Sequence, residues 1–341
     1  MLRALFQPDL YHGHNKTHRF FEGWYFKLVD PSRRFVIAVI PGIFMGDTPA
    51  ETHSFVQVIN GTDISYNYEL FPATSFRADK KRFALQVGDN AFSGNRMKLR
   101  IDSPGLQLAG DLRLSGNIRW PDSLLQPGSM GYYNFLTFMQ CYSQVCAMHA
   151  DLNGSMVING EHVDFTGGSC YIEKNWGRDF PYAWVWVQSN NFSRAPVSLS
   201  CSIAHIPFLT GSFRGFLIGL HLEGSFYKFA TTNKSVLEMM KTGHDVALSV
   251  RNREHSLWLQ TYSEADRFIL CKGPRENQMM PFVEETLQGR VNVTLTENRT
   301  GRVLFRDTGV CAGIEYGGNQ AMLFGEDSGL AQVVTTAENM E

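Results

Sequence analysis

Turn signals recur along this chain at a spacing too short for helices to dominate. Asn60-Gly61, Gly88-Asp89, Asn153-Gly154, Asn159-Gly160, Gly167-Gly168 and Gly317-Gly318 punctuate runs rich in Val, Ile, Phe and Tyr. Asn-Gly pairs supply the positive φ angles that tight hairpins require, so they signal chain reversal between alternating runs. The runs SFVQVIN, RMKLRID, LQLAGDLRLSG, SMVING and RVNVTLTEN alternate apolar with polar residues. Successive strand side chains point to opposite faces, so this period marks half-buried antiparallel strands. Long helical periodicity is absent, and only SVLEMMK, Ser235 to Lys241, offers a short helix. Many short strands with frequent turns predict an all-β sandwich or barrel architecture.

At 341 residues the chain has room for two domains, each with its own core. The boundary is expected between about Ala150 and Ser169, which divides the chain into residues 1–160 and 161–341. A net charge of -2 excludes a broad electrostatic footprint for nucleic acid. The most apolar run, FVIAVIPGIF, is broken by Pro41 and Gly42 and falls short of the roughly 20 residues that span a bilayer. The start, MLRALFQPDL, is too short for a signal-peptide core, so a cytoplasmic protein with no transmembrane segment is expected. Six scattered cysteines without a CxxC then read as reduced, buried thiols.

No phosphate loop, nucleophile elbow, local triad or dinucleotide fingerprint is found, and no cofactor is expected. His12, His14 and His18 fit no zinc spacing and have no nearby cysteine or carboxylate cluster, so they read as a solvated or hydrogen-bonded loop rather than a metal site. Trp120 to Asn134, rich in Pro and Gly, reads as a long loop of the kind that forms lids or domain connections.

The stretch YIEKNWGRDFPYAWVWVQSN, Tyr171 to Asn190, holds three of the six tryptophans, Trp176, Trp184 and Trp186, beside Glu173, Lys174, Arg178 and Asp179. Pro181 starts a strand in which Trp184, Trp186, Gln188 and Asn190 share one face. Two indoles and two amides on one face suit a cavity wall against a flat or unsaturated ligand, or else a tryptophan ladder between two sheet layers. In RFFEGWYFKLVD, alternation sets Glu22, Trp24 and Phe26 on one face and Gly23, Tyr25 and Lys27 on the other. A carboxyl among apolar groups has its pKa raised by desolvation, which makes Glu22 a candidate general acid. The alternative is a salt bridge to Arg19 or another basic residue. His53 and Gln57 share a face and either hold a ligand's hydroxyl or carbonyl or satisfy each other at a strand end. The aromatic strands around Trp24 and around Trp184 to Trp186 lie about half a chain apart, as a tandem repeat would require.

At FFEGWYFK, HSFVQVI, SMVINGEHVDFTGG, YIEKNWGRDFP with WVWVQSN, IAHIPF, RGFLIGL and YKFATT, the chain resembles the tocopherol cyclase family, most nearly its bacterial tocopherol cyclase-like members. The matching blocks run from about Arg19 to Thr232. The resemblance implies two lipocalin-like (calycin) antiparallel β-barrels or half-barrels in tandem, the second carrying EKNWGRDFP and WVWVQSN, with a hydrophobic site between or within them. It also implies closure of a prenylated quinol to a chromanol, in which an alkene is protonated and the phenolic oxygen captures the tertiary cation. Where a Glu and a nearby His would be expected before the second block, this chain has FMQCYSQVCAMHA, with Gln140 and Ser143 in those places and His149 near by.

That chemistry needs a buried neutral carboxylic acid, aromatic faces for a cation, a dry cavity and polar groups to orient the phenol. Glu22, Glu173 and Asp179 are the candidate acids. Trp24, Tyr25, Trp176, Trp184 and Trp186 are the candidate aromatic contacts, and His53, Gln57, Gln188 and Asn190 the orienting groups. The partner expected is a hydrophobic prenylquinol or isoprenoid, taken up through peripheral membrane contact. The other reading is a carrier of such a ligand without chemistry; a buried acid inside an aromatic cavity separates the two.

Overall fold

The computed structural model describes residues 2–325 apart from 195, 209 and 210. Residues 326–341, the end of the second expected domain, lie outside the described residues. The protein is all-β, as its turn spacing requires, and is built from two large antiparallel sheets in tandem. Among the described residues the first sheet has twelve strands, running from Phe20 to Gly177, and the second has ten, from Ala183 to Gly318.

The change of sheet falls between Gly177 and Ala183, inside the aromatic stretch. Strands Glu161–Asp164 and Ser169–Gly177, on the far side of a division at 160/161, pair within the first sheet. Gly167-Gly168 therefore turns the chain inside the first half rather than linking two halves. Ser169–Gly177 closes that sheet between Phe20–Val29 and Cys141–Ile158.

Both sheets follow one plan. Phe20–Val29 lies between its successor, Val36–Met45, and the last strand of its sheet, Ser169–Gly177. Ala183–Ser189 lies likewise between Val197–Phe208 and Val303–Gly318. The repeat is thus one of topology. The aromatic motifs do not superpose: Trp24 points into the core of its own sheet, whereas Trp184 and Trp186 point away from theirs.

Strand alternation sorts the apolar side chains into separate cores. Trp24, Phe26, Leu28, Phe92 and Phe165 pack inside the first sheet. Val185, Val187, Leu199, Ile203, Phe229 and Phe305 pack inside the second. Val29, Met148, Tyr171, Trp184, Trp186 and Leu287 form a third cluster, in the seam between the sheets. SVLEMMK is not a helix but the edge strand Val236–Thr242, paired with Asp245–Arg251. Leu237 is buried and Glu238 exposed there, so alternation prevails over helix propensity.

The N-terminal segment seals the first core. The Tyr11 ring lies 5.1 Å from Phe76 and 6.2 Å from Trp24. Asp9 is held by Arg119 at 2.5 Å and by the Gln144 amide at 2.9 Å.

Candidate functional site

A cleft of about 1070 Å³, including its open mouth, lies in the seam between the sheets. Its walls follow from alternation on five strands. Ala183–Ser189 sends Val185 and Val187 inward, which turns Trp184 and Trp186 to the cleft. The next two strands add Ser202, Ala204 and Ile206, paired in register with Leu217, Gly215 and Phe213. Phe20–Val29 contributes Tyr25, and Ser169–Gly177 contributes Glu173. The long loop contributes Met130 and Tyr133 to the lining, the place a lid would take, and Met139 follows just beyond it.

Two glycines make room for the indoles. A Cβ on Gly317 would sit 2.0 Å from the Trp184 ring, and one on Gly313 2.5 Å from the Trp186 ring. Neither is a contact that a side chain tolerates.

Two rows of side chains meet across the seam. Tyr25 and Glu173 are direct neighbours on the first sheet. Trp186, Glu315 and Glu285 form a row across three strands of the second. Trp186 donates its indole N–H to Glu173, with Nε1 2.9 Å from Oε2. Tyr25 donates its hydroxyl the other way, to Glu285 Oε1 at 2.5 Å. Trp184 Nε1 donates to Glu315 Oε1 at 2.5 Å.

Two carboxyl groups, Glu173 and Glu315, therefore face one apolar cleft, with Glu285 buried beside Glu315, and burial raises the pKa of each. Glu173 is pushed up by desolvation, but donors resist the shift: Tyr171 at 2.6 Å, Trp186 at 2.9 Å and Ser143 Oγ at 3.2 Å. Glu285 rises to about 7, chiefly by desolvation, with Tyr25 and the buried Lys27 pulling it down. Glu315 rises well above the ordinary carboxyl range through desolvation and the nearby Glu285. Its side chain is only partly buried by area, yet the surface it exposes faces the cleft rather than open solvent. Environments that separate the pKa values of neighbouring carboxyls are how one site comes to hold both an acid and a base.

Of the residues singled out from sequence, Glu173, Tyr25, Trp184 and Trp186 line this cleft. The others lie elsewhere. Glu22 is fully buried but forms an ion pair with Lys174, and it accepts from the His12 backbone N–H at 2.8 Å and the His12 ring at 3.1 Å. Burial alone would raise its pKa; Lys174 and His12 outweigh burial and hold the carboxyl below its usual range. Glu22 is thus a structural anion and not a neutral acid. Its partner is Lys174, while Arg19 pairs with Asp47. Asp179 lies half-buried in a neighbouring groove beside Arg178 and Arg275, outside the cleft.

Trp24 packs in the first core under the Lys174 ammonium, 4.8 Å from the ring centroid. Trp176 stacks on the His12 ring at 4.0 Å. His53 bonds the Tyr68 hydroxyl at 2.8 Å, and Gln57 accepts from Tyr66 at 2.5 Å, so the two do not satisfy each other. Gln188 is buried in the seam, and both of its amide atoms lack a partner among the described residues. Asn190 donates to the Cys170 carbonyl at 3.1 Å. Ser143 lines the cleft, whereas Gln140 donates to the Phe180 carbonyl at 3.1 Å.

Sequence reasoning missed Glu285 and Glu315. A faint signal existed for the second: in GIEYGG, Glu315 shares a face with Gly313 and Gly317, two residues without side chains on a strand that otherwise packs.

The family model described as tocopherol cyclase-like matches residues 107–318. The chain belongs to the tocopherol cyclase-like family. Two curated members are similar along most of their length. A "probable tocopherol cyclase, chloroplastic" of Oryza sativa subsp. japonica is 26% identical, covering 93% of this chain and 79% of the relative. The "tocopherol cyclase, chloroplastic" of Zea mays is 25% identical, covering 90% and 77%. Among solved structures, CghA with Sch210972 superposes with a TM-score of 0.55 at 11% identity, covering 88% of this chain and 89% of that one. That last likeness concerns the fold alone. In this tocopherol cyclase-like chain, the match spans Glu173, Trp184, Trp186, Glu285 and Glu315, while Tyr25 precedes it.

Proposed function

We propose that this protein is an enzyme that closes a prenylated quinol, or a related isoprenoid, to a chromanol by intramolecular, acid-promoted addition of the phenol to the alkene. The observation that carries the reading is the set of buried carboxyl groups facing one aromatic cleft. Carrying a ligand requires the cleft but not the carboxyls.

Glu315, which lines the cleft, has a single donor and has its pKa raised well above the ordinary carboxyl range by burial, is assigned as the acid. Its proton passes to the less substituted alkene carbon, and the π electrons form the new C–H bond. The tertiary cation left behind lies among Trp184, Trp186 and Tyr25, whose ring faces stabilise positive charge. The phenolic oxygen attacks that carbon and forms the C–O bond. Its proton passes to Glu173, which the Tyr171, Trp186 and Ser143 donors favour as the carboxylate. Return of that proton to Glu315 completes an isomerisation in which no atom is gained or lost. The apolar lining keeps water from capturing the cation first.

The test is incubation of the purified protein with a prenylated benzoquinol. Chromanol should form, and Glu315→Gln should slow it by about a hundredfold or more, the usual contribution of a positioned acid. Quinol binding with no chromanol from the unmodified protein would make it a carrier.

A further inference from the structure

The geometry points to a membrane-docking surface: the long loop inserts Leu124 and Leu125 into the hydrocarbon of a lipid bilayer and sets the mouth of the cleft against it. The inference rests on the reading above only in that the cleft's ligand dissolves in bilayers.

Leu124 and Leu125 are 78% and 82% exposed, the highest values among the large apolar side chains of the described residues. Leaving two adjacent leucines in water forgoes apolar burial that a loop fold could have supplied. They are held out rather than left loose. Ser123 and Gln126 exchange both backbone hydrogen bonds, at 3.0 and 3.1 Å, and place the leucines at the tip of a tight turn. Behind the turn, the Asn134 amide donates to the Pro127 carbonyl at 2.6 Å, and the Ser129 N–H donates to buried Gln144 at 2.8 Å.

The exposed apolar surface continues along the same segment. Tyr132 and Phe135 are 43% and 37% exposed, and Phe135 meets the exposed Phe6 ring at 5.9 Å. Met130, Tyr133 and Met139, interleaved with them, line the cleft. One loop thus presents an apolar outside and an apolar inside. From Trp120 to Gln140 its one charged residue is Asp122. The loop itself carries no cation for anionic lipid to attract, and what it offers is partition into hydrocarbon. A stable protein interface needs roughly 800 Å² of matched surface per partner, whereas a two-leucine prominence suits a fluid that needs no matching shape.

The experiment is cosedimentation of the full chain with neutral phosphatidylcholine vesicles, with light scattering on the free protein. The unmodified chain should partition to vesicles, weakly and with little change between about 0.05 and 0.5 M salt, since screening acts on charge and not on apolar contact. Leu124→Asp with Leu125→Asp should lower the partition at least tenfold without lowering the melting temperature. Independently, the added indole of Leu125→Trp should be quenched by acyl-brominated phosphatidylcholine. No partition of the unmodified chain, equal partition of the double variant, or a dimer that the double variant dissociates would each overturn the inference. Leucine-dependent partition without chromanol formation would overturn the cyclase reading and leave the docking surface standing.

Discussion

Trp186 of the second sheet holds Glu173 of the first, with the indole Nε1 2.9 Å from Oε2. The bond fixes a ring face and a carboxylate in one arrangement across the seam. Trp186→Phe keeps most of the ring and removes the donor. Donors to Glu173 lower its pKa against the rise that burial imposes, so the variant's carboxyl should protonate at higher pH. If Glu173 must be ionised to take the phenolic proton, the rising limb of the kcat/KM profile should shift to higher pH. An unshifted limb would remove Glu173 from that role.

Glu285→Gln should separate the cost of a buried carboxylate from its use. A group whose folded pKa is raised from 4.5 to about 7 loses stability as the pH climbs through that interval, because the unfolded chain ionises first. The amide has no such loss. The variant's stability relative to the unmodified protein should therefore increase between about pH 4.5 and 7, by on the order of 1–3 kcal/mol. Urea unfolding at several pH values measures this, and a constant difference would contradict it.

The Glu22–Lys174 pair lies outside the cleft and bears on stability. Lys174→Met leaves a carboxylate without its cation inside the first core, at a cost of about 3–5 kcal/mol. In the unmodified protein Glu22 has a lowered pKa, so its contribution is complete above about 4.5 and is lost as the pH falls toward the folded value. His12, lowered by burial and by Lys174, acts in the same direction from 6.5 downward, because the unfolded imidazole takes up a proton that the folded one resists. Thermal melting of the unmodified chain against Glu22→Gln with His12→Gln isolates this share, which should decline on acidification from about pH 7 in two stages, opposite in sign to that of Glu285.

Gly317→Ala tests the room left for Trp184. The added methyl meets that ring at 2.0 Å, so the indole must move toward the cleft or the strands must part. A loss of about 1–3 kcal/mol is expected, together with weaker prenylquinol binding by titration calorimetry. Unchanged affinity would mean that the ligand does not contact this wall.

The sheets were legible because their signals are local. Asn-Gly reversals and period-two alternation specify strands and faces, and Trp184 and Trp186 stand on the shared face that alternation predicted. The family resemblance added the tandem arrangement. What alternation cannot supply is the partner of a face. Trp24 and Trp186 stand on similar strands, but one meets its own barrel and the other the seam. Glu22 resembles a buried acid until the chain brings Lys174, 152 residues away, against it. Glu285 and Glu315 sit in ordinary strands, and their chemistry arises only when three strands lie in register.

The N-terminal segment packs Tyr11 into the first shell, and aliphatic and phenyl side chains fill the second. Both interiors are packed with buried apolar side chains among the described residues. Tyr25 and Glu173 belong to one half, and Trp184, Trp186, Glu285 and Glu315 to the other. The chamber therefore belongs to the joint: separate the halves, and each keeps only one wall of it.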